Sequence, residues 1–116
     1  MVRFSCCAGS AVGRWIGSAL PSAGHSYDVE LDFEGILDRG ENTVASSETR
    51  FLISEREDEV VLNGSVDSVD ADGLVYFRLG VDCLVMVDAR AGEFSEGEWL
   101  EVSCRPEHLH LTPFGA

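Results

Sequence analysis

Residues 27–34, which read YDVELDFE, alternate apolar and acidic side chains without exception. Alternation of this kind is typical of a β-strand with one face against a core and the other face in water, and a helix would repeat near every 3.6 residues instead. The apolar face carries Tyr27, Val29, Leu31 and Phe33. The acidic face carries Asp28, Glu30, Asp32 and Glu34, which we call the acidic comb. The chain must therefore contain a sheet with one buried face.

Further short apolar segments also predict strands, with turn residues between them. They cover residues 49–54, 60–70, 74–79, 82–88, 98–104 and 107–111. Gly35 predicts a bulge or bend before Ile36. Gly64, inside a long strand, predicts a sharp coil or a close backbone approach. Asp72-Gly73 is the strongest hairpin signal in the chain.

The length of 116 residues suits one domain. About six or seven short strands without a long helix are typical of a small barrel or a sandwich. We predict an all-β fold, a small OB-like barrel of antiparallel strands over residues 25–116, with a β-sandwich as the alternative.

The first 24 residues contain many small side chains and no acidic one. Residues 11–20 place their larger apolar side chains on one side of a short helix, so this segment is predicted to be either a helix packed on the barrel or a flexible leader. A signal peptide and a misassigned start codon stay open as alternatives. Arg14 interrupts the apolar run that a signal needs, and no run suffices to span a membrane. We expect a soluble, cytoplasmic protein, with export as the alternative.

Acidic residues outnumber basic ones by 21 to 8, which gives a formal net charge of −13. A field of that sign repels nucleic acids and anionic lipids, so neither is expected as a partner, and it attracts basic proteins. The acidity equally suits solubility or a salty cytoplasm, and the lack of Lys is also typical of a GC-rich genome. Both explanations of the charge remain open.

The four cysteines are Cys6, Cys7, Cys83 and Cys104. Adjacent Cys6 and Cys7 cannot easily pair with each other. Cys83 and Cys104 fall on the apolar faces of two predicted strands, so we predict two small buried side chains, with a disulfide between them as the alternative.

Residues 60–111 resemble the TOBE domain, the small OB-like accessory barrel of ABC-importer ATPases. The resemblance is carried by Gly64-Ser65-Val66, Gly73, Leu79-Gly80, Glu96-Gly97-Glu98, Trp99-Leu100-Glu101-Val102 and Arg105-Pro106-Glu107-His108-Leu109. It implies a regulatory or ligand-binding barrel, in which Arg78 or Arg105 would hold an oxyanion at one barrel end. This sequence has no G-x-x-x-x-G-K-[ST] loop and therefore is not the ATPase motor.

The acidic comb places four carboxylates at steps of about 7 Å along one strand face. Such a face is either simply solvated or docks the Arg and Lys side chains of a basic protein. Tyr76 and Trp99 point outward or lie at strand ends, where aromatic side chains often anchor a partner; the alternative is that the N-terminal segment covers them. The predicted partner-binding residues are the comb, Tyr76 and Trp99.

Motifs for chemistry are weak. His108 and His110, two apart on one strand face, are a weak candidate metal pair without a third ligand. Residues 68–73 lack the acidic first position of a calcium loop and predict a hairpin turn. No nucleophile elbow, H-E-x-x-H or Rossmann glycine motif occurs, so we predict no catalytic residue and no cofactor.

These observations favour a non-catalytic binding module. Its most concrete form is an acidic inhibitor similar to a bacterial immunity protein, which masks the basic surface of a nuclease toxin. The alternative is a barrel of the TOBE kind that senses a small ligand or oxyanion. A second alternative is an enzyme whose site residues the motifs do not reveal.

Overall fold

The computed structural model describes residues 1–114, which form eleven strands and one short 3₁₀ turn. The strands are β1 (Val2–Cys6), β2 (Gly9–Trp15), β3 (Val29–Phe33), β4 (Ile36–Leu37), β5 (Thr43–Ala45), β6 (Leu52–Arg56), β7 (Glu59–Val69), β8 (Val75–Gly80), β9 (Cys83–Ala89), β10 (Trp99–Cys104) and β11 (Leu109–Pro113). The 3₁₀ turn covers Pro106–His108. Within the described residues, no helix has the length and apolar character needed to cross a membrane.

All eleven strands belong to one sheet, which curls into a half-barrel. Its main path runs β3–β11–β2–β6–β7–β8–β9–β4, while β1 pairs with β2, and β10 pairs with both β7 and β5. The strands at the two ends of this path, β3 and β4, are successive in the chain. The all-β prediction is confirmed. The expected count of six or seven strands was too low, and three pairings, β2–β11, β2–β6 and β4–β9, are parallel rather than antiparallel.

The predicted strands correspond to β3 and β6–β11, although β6 begins later than expected, at Leu52. A β-carbon on Gly64 would collide with the carbonyl oxygen of Arg78, so the predicted close backbone approach is confirmed. The hairpin at Asp72-Gly73 is also confirmed. Its turn is fixed by the Asp70 carboxylate, which accepts hydrogen bonds from the backbone of Asp72 and Leu74 at 2.9 and 3.0 Å.

The N-terminal segment is not helical, so that prediction was wrong. β1 and β2 form a hairpin, and β2 lies between β11 and β6 in the sheet. Ala11 is fully buried in the core. Gly9 approaches β6 so closely that a β-carbon there would collide with the carbonyl of Ile53. The small side chains of this segment therefore allow tight strand packing.

The apolar core fills the inside of the curl. Its largest fully buried side chains are Phe77, Leu37, Leu62, Leu79, Leu100 and Leu109. One buried polar side chain, Asn63, fixes the connection between β5 and β6. Its amide donates to the carbonyls of Glu48 and Arg50 at 3.0 and 2.8 Å, and its oxygen accepts from the Ser46 hydroxyl at 2.6 Å.

Candidate partner-binding face

The acidic comb lies along β3, with Glu30 and Asp32 inside the strand, where both are half-buried, and Asp28 and Glu34 just beyond its ends, where both are exposed. On the opposite face Leu31 is buried, and Val29 and Phe33 pack against the core. The predicted buried face is therefore confirmed, whereas the acidic face is fully exposed only at its two ends. Tyr27 departs from the predicted buried face, because it precedes the strand and is 43% exposed, with its ring edge-on to Trp15 at 5.4 Å between centroids.

Three of the four comb carboxylates form no ion pair within the described residues. Seven of the eight arginines form ion pairs, namely Arg3–Glu55, Arg39–Glu98, Arg50–Glu48, Arg56–Glu101, Arg78–Asp67, Arg90–Asp38 and Arg105–Glu107. None of these pairs includes the comb. Its Glu34 contacts His110 at 3.0 Å. Within residues 1–114, Asp28, Glu30 and Asp32 have no ion pair, so their charge is available to another molecule.

An exposed apolar patch lies on β4, β8 and β9. Ile36, which follows Gly35 in the chain, is 56% exposed and pairs with Asp88 on β9. On β9 the outward side chains Leu84 and Met86 are exposed, and Met86 pairs with Tyr76 on β8. We call Ile36, Tyr76, Leu84 and Met86 the apolar patch. It includes one predicted anchor, Tyr76, and its Ile36 follows the comb in the chain.

Trp99, the other predicted anchor, lies on β10, in a different part of the sheet from Tyr76. It pairs with Ser65 on β7, which pairs in turn with Arg78 on β8. Its ring packs against Phe51 with 5.3 Å between the centroids, so its aromatic partner is Phe51. The structure thus leaves the two predicted anchors two strands apart.

The two arginines proposed for an oxyanion do not converge. Arg78 donates to the Asp67 carboxylate at 3.0 Å and to the carbonyl of Val81 at 2.8 Å, so it fixes the β8–β9 turn. Arg105 donates to Glu107 at 2.8 Å, and this hydrogen bond lowers the pKa of Glu107 and raises that of Arg105. Both guanidinium groups are already engaged with carboxylates.

The candidate histidine pair is not on one strand. His108 lies in the 3₁₀ turn, while His110 lies on β11, where its ring also contacts the carbonyl of Glu107 at 3.2 Å. In the described part of the chain no three His, Cys, Asp or Glu side chains are arranged to hold a metal ion.

Two grooves accompany these surfaces. One, of about 670 Å³, is lined by Met1, Arg14, Trp15, Ile16, Gly17 and Ser18. It contains Arg14, for which residues 1–114 supply no ion pair. The other, of about 300 Å³, lies over β6 and β7 beside the Arg56–Glu101 pair. Sequence reasoning missed both grooves. The first is lined by residues 14–18 and Met1, in the segment predicted to be a helix or a leader, and the second joins residues far apart in the chain.

Sequence reasoning also missed three members of the apolar patch. The signal was present in β9, whose apolar residues occupy both strand faces, with Val85 and Val87 inward and Leu84 and Met86 outward. No protein-family profile, curated protein or solved structure matches this chain. The resemblance to the TOBE barrel therefore stays a prediction.

Proposed function

We propose that this domain is a non-catalytic binding module that masks a basic surface of another protein. The observation that carries the proposal is that three comb carboxylates form no ion pair within residues 1–114, and the exposed apolar patch on β4, β8 and β9 supports it. A group of negatively charged carboxylates raises the association rate with a positively charged partner, and aromatic and apolar side chains that become buried in the interface stabilise the complex.

The acidic comb and the apolar patch have different roles in the proposal. The comb steers a basic partner and fixes its orientation, and Tyr76 with Met86 supplies the contact that excludes water. An inhibitor of the immunity-protein kind fits this arrangement, because its carboxylates would occupy the Arg and Lys side chains with which a nuclease binds phosphates.

The proposal keeps an OB-like barrel as the fold. Two features of the curled sheet support it. The long strand β7 pairs with β6, β8 and β10, and the successive strands β3 and β4 stand at the two ends of the sheet path.

The test is capture of proteins from the native host's lysate on the immobilised chain, at low and at high salt. The comb variant carries Asp28→Asn, Glu30→Gln, Asp32→Asn and Glu34→Gln. A matched control variant carries Glu41→Gln, Glu57→Gln, Asp72→Asn and Glu96→Gln, which remove the same charge from four exposed positions elsewhere.

A basic protein that binds the unmodified chain and the control at low salt, leaves at high salt and ignores the comb variant would support the proposal. We expect the comb changes to lower the association rate by roughly tenfold or more at low salt. Equal loss in both variants would show that only net charge matters. Binding that ignores the comb would overturn the proposed face.

A second candidate, a barrel that senses a small anion, is favoured by one observation. Arg14 lines the larger groove without an ion pair in the described residues. Here Arg14 replaces Arg78 and Arg105 as the cationic group, because those two are engaged. A thermal shift with inorganic phosphate that Arg14→Gln abolishes would support this candidate, and a shift of equal size in the variant would remove it.

A further inference from the structure

Three of the four cysteines gather at one end of the sheet. Cys6 and Cys7 lie at the β1–β2 turn, and Cys83 is the first residue of β9, where it pairs with Gly80 across the β8–β9 turn. The position that a β-carbon would take on Gly80 is 3.6 Å from Cβ of Cys83 and 3.8 Å from Sγ of Cys7. Both atoms therefore flank the same small volume, which stays open because residue 80 has no side chain.

The electrostatics of Cys83 agree with this placement. Burial raises the pKa of its thiol, the nearby Cys6 and Cys7 thiols raise it further, and Arg78 lowers it. Cys104 has a different environment, in which burial and then Glu59 and Glu107 raise its pKa to about 12. Of the two predicted buried side chains, Cys104 is buried and Cys83 half-buried, and the alternative of a bridge between them is not formed. Cys83 instead lies near the N-terminal turn. All four cysteines are free thiols in the structure.

The solvent exposure of these thiols differs, and the differences suit a reaction in which one thiol is oxidised before the other. Cys6 and Cys7 are exposed, Cys83 is half-buried and Cys104 is buried. An oxidant in solvent therefore meets the N-terminal turn first. Cys83 can then react with the oxidised sulfur, since Cys7 Sγ and Cβ of Cys83 flank the same open volume at Gly80, and the side chain of the exposed Cys7 can turn its sulfur toward Cys83.

We propose that Cys7 and Cys83 form a reversible disulfide when the protein meets a peroxide. The Cys7 thiolate attacks one peroxide oxygen, the O–O bond breaks, and hydroxide leaves, which gives a sulfenic acid on Cys7. The Cys83 sulfur then attacks that sulfur as its proton passes to the departing oxygen, so the S–S bond forms, the S–O bond breaks and water leaves. In total, two thiols and hydrogen peroxide give one disulfide and two waters. A dithiol reductant reverses the step.

The bridge would join the β1–β2 hairpin to the β8–β9 hairpin, which lie far apart in the chain. Closing so long a loop constrains the unfolded state strongly. The oxidised protein should therefore melt higher than the reduced one, by roughly 10 °C. This inference does not depend on the proposed partner, because no comb or patch residue takes part in it.

The experiment treats the reduced full-length chain with hydrogen peroxide, alkylates the remaining thiols and maps the products by mass spectrometry. Trypsin separates the sites, because Cys6 and Cys7 lie on residues 4–14, Cys83 on residues 79–90, and Cys104 on the peptide that begins at Ala91. We expect one intramolecular link between the first two peptides, with Cys104 alkylated only after unfolding.

Single variants make the assignment. Cys7→Ser and Cys83→Ser should abolish the link and the rise in melting temperature, while Cys6→Ser and Cys104→Ser should keep both. A link that survives in Cys7→Ser, a dimer joined through cysteine, or sulfinic acid without any link would overturn the proposal. Fragment-ion sequencing of the linked peptides from the unmodified chain places the bond on Cys6 or Cys7, so it decides the outcome even if a variant fails to fold.

Discussion

At the scale of single residues, Cys104 shows how burial changes the chemistry of a side chain. Its thiol is 5% exposed, and burial with the nearby carboxylates raises its pKa to about 12 in the folded protein. In the unfolded chain the ordinary value is near 9. A raised folded pKa means that the folded state holds the proton more tightly. Stability from this group is therefore complete below about pH 9 and is lost as the pH rises toward 12.

We expect the free energy of unfolding to fall by about 2–3 kcal/mol through this group between pH 8 and pH 11. Cys104→Ala should have a shallower pH dependence over that range, although it also creates a small cavity. Urea unfolding of both proteins at the two pH values measures the difference. Identical slopes would contradict the raised pKa.

Gly9 is a position at which the backbone geometry does not tolerate a side chain. Its φ is +143°, and a β-carbon would collide with the Ile53 carbonyl on β6. Gly9→Ala should destabilise the protein by about 3 kcal/mol, since it adds strain and separates β2 from β6. Gly92→Ala is the matched control, because its φ is +82° with open space around it, and about 1 kcal/mol is expected there. Thermal or urea unfolding compares them, and equal losses would remove the steric argument.

At the scale of elements, Asn63 fixes the segment between β5 and β6, which is mostly exposed. It makes all three of its side-chain hydrogen bonds to the segment between β5 and β6, at 5% exposure. Asn63→Ala leaves two carbonyls without that donor, so we expect a loss of about 2–3 kcal/mol, against about 1 kcal/mol for Ser46→Ala. Faster amide exchange in residues 46–50 should accompany the loss. Unchanged exchange there would show that other contacts hold the segment.

At the scale of the whole molecule, the net charge of −13 opposes folding through self-repulsion. Asp28, just before β3, and Glu30 and Asp32 within it form no ion pair in the described residues, whereas the control acids lie at separate turns. The comb variant should therefore gain about 1 kcal/mol at low salt relative to the control variant, and the gain should shrink in high salt. Urea unfolding at two salt concentrations tests this. If the two variants are equally stable, the acidic residues are better explained by solubility of the whole protein than by a comb that is kept acidic to bind a partner.

The comparison of particular elements shows which features the sequence predicts. β3 and its outward carboxylates follow from alternation alone, because period two directly assigns each side chain to a face. The close backbone approach at Gly64 and the turn at Asp72-Gly73 follow from glycine, which has no β-carbon and more backbone freedom than other residues. These features depend on a few neighbouring residues, and the sequence displays them locally.

The N-terminal hairpin, the three parallel pairings and the nearness of Cys7 to Cys83 depend on residues far apart in the chain. Small side chains in residues 8–13 suit a helix, a leader or a crowded strand equally well, and only contact with β6 and β11 distinguishes these. The sequence by itself determined an acidic all-β domain with a comb on one strand. The tertiary structure alone decided that Ile36, Leu84 and Met86 form an exposed patch with Tyr76 and that Arg78 and Arg105 are engaged with carboxylates, because strand pairing, not chain order, sets which side chains become neighbours.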